Sequence, residues 1–317
     1  MKLNVLMITY NHEKYISQAI ESVLMQKTNF DFNLVIGEDH STDKTREIVF
    51  EYARKYPGKI IVLPGDKNIG VQANVIRTFN ARTGEYVALL EGDDYWTDPN
   101  KLQKQVDFLD KHRDHSMCFH QVHLKKGRSM TLSSAARDIP NKNSFTIEDI
   151  AEKNFLDSPS VVYRNCLDKN LPSWFHESPV GDYVLHMLHA QYGKIGYLPE
   201  PMAVYRIHSG GIWSTDKLTH PKWIKVLDLL LKADFPNKVK LLLQKQRREM
   251  ILAYLKILLE SDHKKFIDLL RLAVAEDPSF GEEWLYEHYP EAIQRLSGAK
   301  SLKLARTLAA FTGRSRK

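Results

Sequence analysis

The chain has 317 residues, 43% of them hydrophobic and 26% charged, a globular balance that excludes a disordered or fibrous polymer. Its two cysteines, Cys118 and Cys166, form no CxxC pair, which excludes a zinc knuckle and a disulfide framework and fits a reducing cytoplasm. The formal surplus of +6 equals the six basic residues between Lys300 and Lys317, so the body carries no basic excess and nucleic acid is not an expected partner.

Leu3 to Thr9 is a short apolar run with β-branched residues. It is too short for a signal peptide and predicts a buried first strand. Ile16, Ile20, Val23 and Leu24 recur at helical spacing within Glu13 to Gln26. Phe32 to Ile36 predicts a second strand. Ser41-Thr42-Asp43 then offers capping side chains before an amphipathic stretch that ends near Tyr56. Lys59 to Leu63 predicts a strand, Ile69 to Arg82 a helix, and Glu85 to Leu90 a strand. This βαβα order implies an α/β fold with a mostly parallel central sheet flanked by helices.

Beyond Pro99 the pattern predicts a helix over Lys101 to Lys111 and a strand over Met117 to His123. Lys125 to Asn143 is polar and reads as an irregular, mobile loop. Gly181 to Tyr192 reads as helix, and Ile195 to Leu198 and Met202 to Ile207 as strands. From Pro221 onward the chain reads as helix, including Lys238 to Glu260 and Lys264 to Ala275. No run of about 18 apolar residues occurs, so no transmembrane helix is expected.

Ligands of such sheets bind beyond the C-terminal strand ends. Polar clusters stand there: Thr9-Tyr10-Asn11, Glu38-Asp39, and Glu91 to Asp94. Glu91-Gly92-Asp93-Asp94 packs three carboxylates into four residues just past an apolar strand. Their repulsion calls for a cation or raised pKa values. A hard divalent ion, Mn2+ or Mg2+, suits oxygen ligands. A solvated acidic turn is the alternative.

Thr9-Tyr10-Asn11-His12-Glu13-Lys14-Tyr15-Ile16, Glu38-Asp39-His40-Ser41-Thr42-Asp43-Lys44-Thr45, Lys67-Asn68-Ile69-Gly70 with Asn74 after it, and Gly84-Glu85-Tyr86 stand in order ahead of the acidic cluster. With them the chain resembles the family 2 glycosyltransferases of the GT-A fold over roughly residues 1 to 215. That resemblance implies an inverting transferase of the bacterial surface-polysaccharide type. Its partners would be a nucleotide-sugar donor, UDP above dTDP or GDP, and a glycan or lipid-linked acceptor.

The resemblance also implies roles. Thr9, Tyr10, Asn11, Glu38, Asp39 and Asn74 would hold the nucleotide. Glu91-Gly92-Asp93 stands at the family's D-x-D position, with Glu91 a departure that reaches ribose or metal. Asp93 is the expected metal carboxylate and Asp94 its runner-up. Pro179-Val180-Gly181-Asp182-Tyr183 is similar to the family's catalytic-base segment, usually Glu-Asp, with Gly181 in place of the Glu. Asp182 is then the expected general base, and a helix-capping role is its alternative. Within Tyr205-Arg206-Ile207-His208-Ser209-Gly210-Gly211-Ile212-Trp213-Ser214, Arg206 would contact phosphate oxygens and His208 would lie near the metal. Trp96, Trp174 and Trp213 receive no role.

The expected organisation is a catalytic domain over 1–215, with a nucleotide half to about 98 and an acceptor half beyond it, then a helical region over 216–317. Leu302, Leu304, Leu308 and Phe311 among the tail's basic residues suggest contact with an anionic membrane at its inner face, a solvated tail being the alternative. Two other functions compete. Gly181 and Glu91 leave room for a non-catalytic nucleotide-sugar-binding scaffold on the same fold. A sugar-1-phosphate nucleotidyltransferase would need a glycine-rich basic loop after strand one, where Tyr10-Asn11-His12-Glu13 has no glycine.

Overall fold

The structure, a computed structural model, describes residues 1–133, 142–167, 171–211 and 219–277. The chain divides into two compact units, Met1–Lys217 with Leu229–Leu243, and Leu218–Asp228 with Gln244–Lys317. Ile212, Trp213, Ser214 and the basic tail lie outside the described residues.

The first unit is built on a central sheet. Strands β1 (Leu3–Thr9), β2 (Phe32–Glu38), β3 (Ile60–Pro64) and β4 (Tyr86–Leu89) run parallel in the order β3-β2-β1-β4. Both faces of β1 and β2 are covered, which is why they read as continuous apolar runs rather than alternating ones. Helices α1 (Ile16–Leu24), α2 (Thr45–Lys55) and α3 (Val71–Asn80) connect them. Helix α1 buries Ile16, Ala19, Ile20 and Val23, a single face at helical spacing. Gly37 lets α3 lie close on β2, since a Cβ there would stand 2.0 Å from Thr78 Oγ1.

The rest of the sheet is mixed. After β5 (Tyr95–Trp96) and α4 (Lys101–Lys111) come β6 (His115–Lys126), β7 (Ser129–Leu132), β8 (Ser144–Phe145) and α5 (Ile147–Glu152). Then follow β9 (Val162–Arg164), α6 (Asp182–Ala190) and β10 (Lys194–Ile207). Strand β9 is antiparallel to both β4 and β6 and joins the two halves. The polar stretch expected as a loop from Lys125 begins instead as a hairpin, β6 turning at Gly127 (φ +58°) into β7. All four β7 residues are exposed, and four residues are too few for their alternation to mark a strand. Residues 134–141 of that stretch lie outside the described residues. The two strands expected around Pro199-Glu200-Pro201 are one, β10, whose register shifts between Leu198 and Ala203.

In the second unit, Ile251, Leu255, Leu258, Phe266, Ile267 and Leu270 form a separate apolar core. They come from α8 (Asn237–Ser261) and α9 (His263–Glu276), which follow α7 (Thr219–Leu231). Asp262 caps α9 by accepting from Lys265 N.

Candidate active site

The C-terminal ends of β1, β2 and β4 meet at one rim. Asn11 (φ +56°) and His40 (φ +58°) turn the chain there in the left-handed region, which Asn tolerates best among residues with a side chain. The Asn11 Oδ1 accepts from Thr42 N at 2.8 Å, and Asn11 N–H donates to Ser41 Oγ at 3.1 Å. Asn11 thus ties the first rim loop to the second and does not line the cleft.

That cleft has a volume of about 240 Å³. Its lining includes Thr9, Tyr10, Asp39 and Asn74 together with Glu91, Asp93, Asp182 and the Gly210-Gly211 pair. Asp39 is buried, with its two oxygens accepting from Ile69 N and Gly70 N at 2.9 Å each. Asn74 donates to Gly37 O at 2.8 Å. Glu38 is fully buried behind Asp39, accepts from Ser41 N at 2.7 Å, and faces Arg46 rather than the cleft.

At the end of β4, Gly92 allows the loop to approach β1, since a Cβ would stand 2.6 Å from Thr9 Oγ1 and 3.0 Å from His12 Nδ1. Asp93 Oδ2 lies 3.0 Å from His208 Nε2 and 3.8 Å from His12 Nε2. Gly210 N–H donates to His208 Nδ1 at 3.2 Å, which turns Nε2 toward Asp93. Burial lowers the His12 pKa against the pull of Asp93, which keeps its imidazole neutral and fit to ligate. Asp93 Oδ1 is buried without a hydrogen-bond partner. One free carboxylate oxygen beside two imidazoles suits Mn2+ and, through oxygen, Mg2+.

Glu91 sits on the cleft wall. Burial, then Asp93 and Asp182, push its pKa up to about 8. The Tyr205 phenol, also in the wall, is held neutral by burial and the same carboxylates.

Two residues take places other than those the resemblance implied. Asp94 is 1% exposed and accepts from Arg206 N at 2.8 Å, beneath the loop and off the cleft. Burial pushes its pKa well up. The Arg206 guanidinium donates to the Asp93 carbonyl and to Gln18 Oε1, and stacks over Tyr95 and Tyr15. These contacts brace the acidic loop.

Asp182 opens α6 and points its carboxylate into the cleft. Its Oδ2 accepts from Ser158 Oγ at 2.5 Å, and its Oδ1 from Tyr183 N at 2.7 Å. Ser158 is fixed in turn: Trp96 Nε1 donates to Pro159 O at 2.9 Å, and Gln105 Nε2 to Ser160 O at 2.8 Å. Trp96 is therefore a buried strut and not a sugar platform. Sequence reasoning missed Ser158, His12, Tyr205 and Gln72 as cleft residues. His12 and Tyr205 left a signal, His12 standing directly after Thr9-Tyr10-Asn11 and Tyr205 directly before Arg206.

A second group of ligand-type side chains, His112, Asp114 and His115, brings its atoms within 4.8 Å of one another at the start of β6. It lies at the end of β6 away from the rim, and Asp114 there is paired with Lys194 at 2.9 Å.

Residues 4–164 match the family described as Glycosyl transferase family 2. The chain belongs to that family. An uncharacterized protein of Mycobacterium tuberculosis is 40% identical over 217 residues, covering 67% of this chain and 60% of the relative. The chain thus spans about 60% of the length of such curated relatives. Among solved structures, residues 1–349 of S. aureus TarS in complex with UDP-GlcNAc align with a TM-score of 0.62 at 19% identity, over 100% of this chain and 93% of that one. A mannosyltransferase from Pyrobaculum calidifontis in complex with GDP-Man and Mn2+ aligns with a TM-score of 0.56 at 16% identity, over 98% and 85%. These likenesses establish the GT-A-like fold. Within this family 2 fold, the Asp93 loop and the Asp182 helix face each other across a single cleft.

Proposed function

We propose that the protein is an inverting glycosyltransferase that moves a sugar from a UDP-sugar to a hydroxyl of a glycan or lipid-linked acceptor, with Mn2+ or Mg2+ as cofactor. The observation that carries this reading is the shared cleft of Asp39, Asp93 and Asp182, which come from three elements far apart in sequence. Thr9, Tyr10 and Asp39 form the end suited to a nucleoside. The TarS neighbour, whose structure is titled with UDP-GlcNAc, supports UDP as the nucleotide.

Asp182 accepts the proton of the acceptor hydroxyl. The acceptor oxygen forms a bond to the anomeric carbon as the bond from that carbon to the diphosphate oxygen breaks, and UDP leaves with the electron pair. Attack opposite the leaving group inverts the anomeric centre. Ser158 holds the Asp182 carboxylate in place by donating to Oδ2. Asp93, with His208 and His12, is the fitting set for the divalent ion. When bound, that ion supplies positive charge to the diphosphate oxygens as they become more anionic. The mannosyltransferase neighbour, titled with Mn2+, supports this choice. Among the described residues no helix is long and apolar enough to cross a membrane, so contact with a lipid-linked acceptor falls in this reading to the basic tail over 300–317.

The test is donor turnover with Mn2+ across a panel of UDP-sugars, with and without the Asp182→Asn substitution. Turnover that survives Asp182→Asn undiminished removes the general-base assignment. Absence of any nucleotide binding at millimolar concentration removes the transferase reading.

A further inference from the structure

Behind the cleft lies a smaller cavity of about 50 Å³. Its walls are apolar: Leu6 of β1, Leu89 of β4, Val75 and Phe79 of α3, and Leu185 of α6. Its polar boundary consists of Glu91, Ser158 and Asp182, with Thr78 on the α3 side. Glu91, Ser158, Asp182, Ile8 and Val75 line both spaces, so the cavity continues the cleft. It exceeds the roughly 10–15 Å³ that one water needs, yet offers apolar walls that favour a small hydrocarbon group over solvent.

Gln72 stands beside this mouth. It lies one helical turn from Val75 on α3 and lines the cleft. Its Oε1 is buried without a hydrogen-bond partner, a costly state for a carbonyl unless a ligand donates to it. Gly181 leaves that oxygen reachable, since a Cβ at 181 would stand 3.2 Å from Gln72 Oε1 and 3.7 Å from both Val75 methyls. An acceptor oxygen and an apolar recess therefore adjoin each other next to Asp182.

The position selects the part of the substrate that enters. With Asp182 as the base, only the acceptor oxygen separates it from the anomeric carbon, and the substituent carried by the carbon bonded to that centre is the one on C2. An acetamido group there presents an N–H and a methyl, the complement of a carbonyl oxygen and an apolar recess. We infer that Gln72, Val75 and the cavity behind them select a donor whose sugar carries a 2-acetamido group. This rests on the UDP-sugar reading above and narrows it. Gly181, a departure from the family's usual Glu, is what keeps the recess open to the cleft.

The experiment is calorimetric titration of the full chain, in Mn2+, with UDP and with two matched pairs: UDP-N-acetylglucosamine against UDP-glucose, and UDP-N-acetylgalactosamine against UDP-galactose. At least one acetamido donor binds about tenfold or more tighter than its hydroxyl counterpart, the discrimination a few buried heavy atoms provide. Val75→Phe, which fills the recess, brings that ratio to about one, and Gln72→Leu reduces it in part. If UDP binds but neither pair differs by more than about twofold, well under the discrimination expected of a filled pocket, the acetamido assignment is overturned while the nucleotide reading stands. If UDP itself does not bind, both fall. Retention of the full ratio in Val75→Phe also overturns the assignment.

Discussion

The Ser158 hydroxyl donates to Oδ2 of Asp182 at 2.5 Å, joining the segment before β9 to the first turn of α6. A charge-assisted bond of this kind contributes about 1.5–3 kcal/mol, roughly a factor of ten to a hundred in rate if it is fully expressed in the transition state. Ser158→Ala therefore lowers kcat by about ten- to a hundredfold with little change in donor KM, and Ser158→Thr restores part of the loss. Asp182→Asn lowers kcat by about 10²–10⁴-fold. Steady-state kinetics on the three variants checks these expectations. An unchanged kcat in Ser158→Ala removes the positioning role.

The free oxygen of Asp93 makes a prediction for metal binding. Millimolar Mn2+ raises Tm by mass action and EDTA reverses the rise. Asp93→Asn abolishes the shift, whereas Asp182→Asn retains it. A shift that persists in Asp93→Asn but disappears in Asp114→Asn would place the ion at the His112, Asp114 and His115 group.

The helix that carries Asp182 rests on buried histidines. His186 accepts from or donates to Tyr163 Oη at 2.6 Å, and His189 stacks on the Tyr163 ring at 4.0 Å. Burial lowers their pKa values to about 4 and about 3. The unfolded chain, with histidines near 6.5, takes up protons below about pH 6.5 that the folded chain refuses. Their contribution to stability is therefore complete above about pH 6.5 and is lost as the pH falls toward 4. Urea midpoints measured across this range decline in the native protein. The decline is shallower in the double variant His186→Gln, His189→Gln.

Arg206 offers a choice between bracing and phosphate binding. Lysine cannot reproduce the planar fork that reaches both the Asp93 carbonyl and Gln18. Arg206→Lys thus lowers Tm in the absence of any nucleotide. An unchanged Tm with a selectively raised donor KM returns Arg206 to the phosphates.

Gly92→Ala tests the approach of the acidic loop to β1. The added Cβ meets the Thr9 side chain at 2.6 Å and His12 Nδ1 at 3.0 Å. Overpacking of this kind costs about 1–3 kcal/mol, read as a fall in the urea midpoint, together with weaker binding of Mn2+.

The first four strands were legible because each is an apolar run whose final residues turn abruptly polar. Thr9, Asp39 and Asp93 could be placed at one rim from that alternation alone. The contacts of Arg206 and Asp94 beneath the acidic loop were not legible, because residue type does not tell on which side of a loop a charge lies. Arg206 suits a phosphate and a backbone carbonyl equally well. Ser158 left no trace, since it lies in a single turn of 3-10 helix with no period, 24 residues before its partner. Strand β9 has three residues, too few for any periodicity, yet it joins the two halves of the sheet.

The direction of β9 has a consequence for how this enzyme scaffold can diversify. Its neighbours deliver their trailing ends to the rim, whereas β9, running the other way, delivers its leading end. The base's partner is thereby supplied by a connection independent of the loops that carry Thr9, Asp39 and Asp93. In the proposed reading, a lengthened or shortened stretch ahead of residue 157 would act on the surroundings of Asp182 and on the small cavity that Ser158 bounds, while the loops that carry Thr9, Asp39 and Asp93 stay as they are.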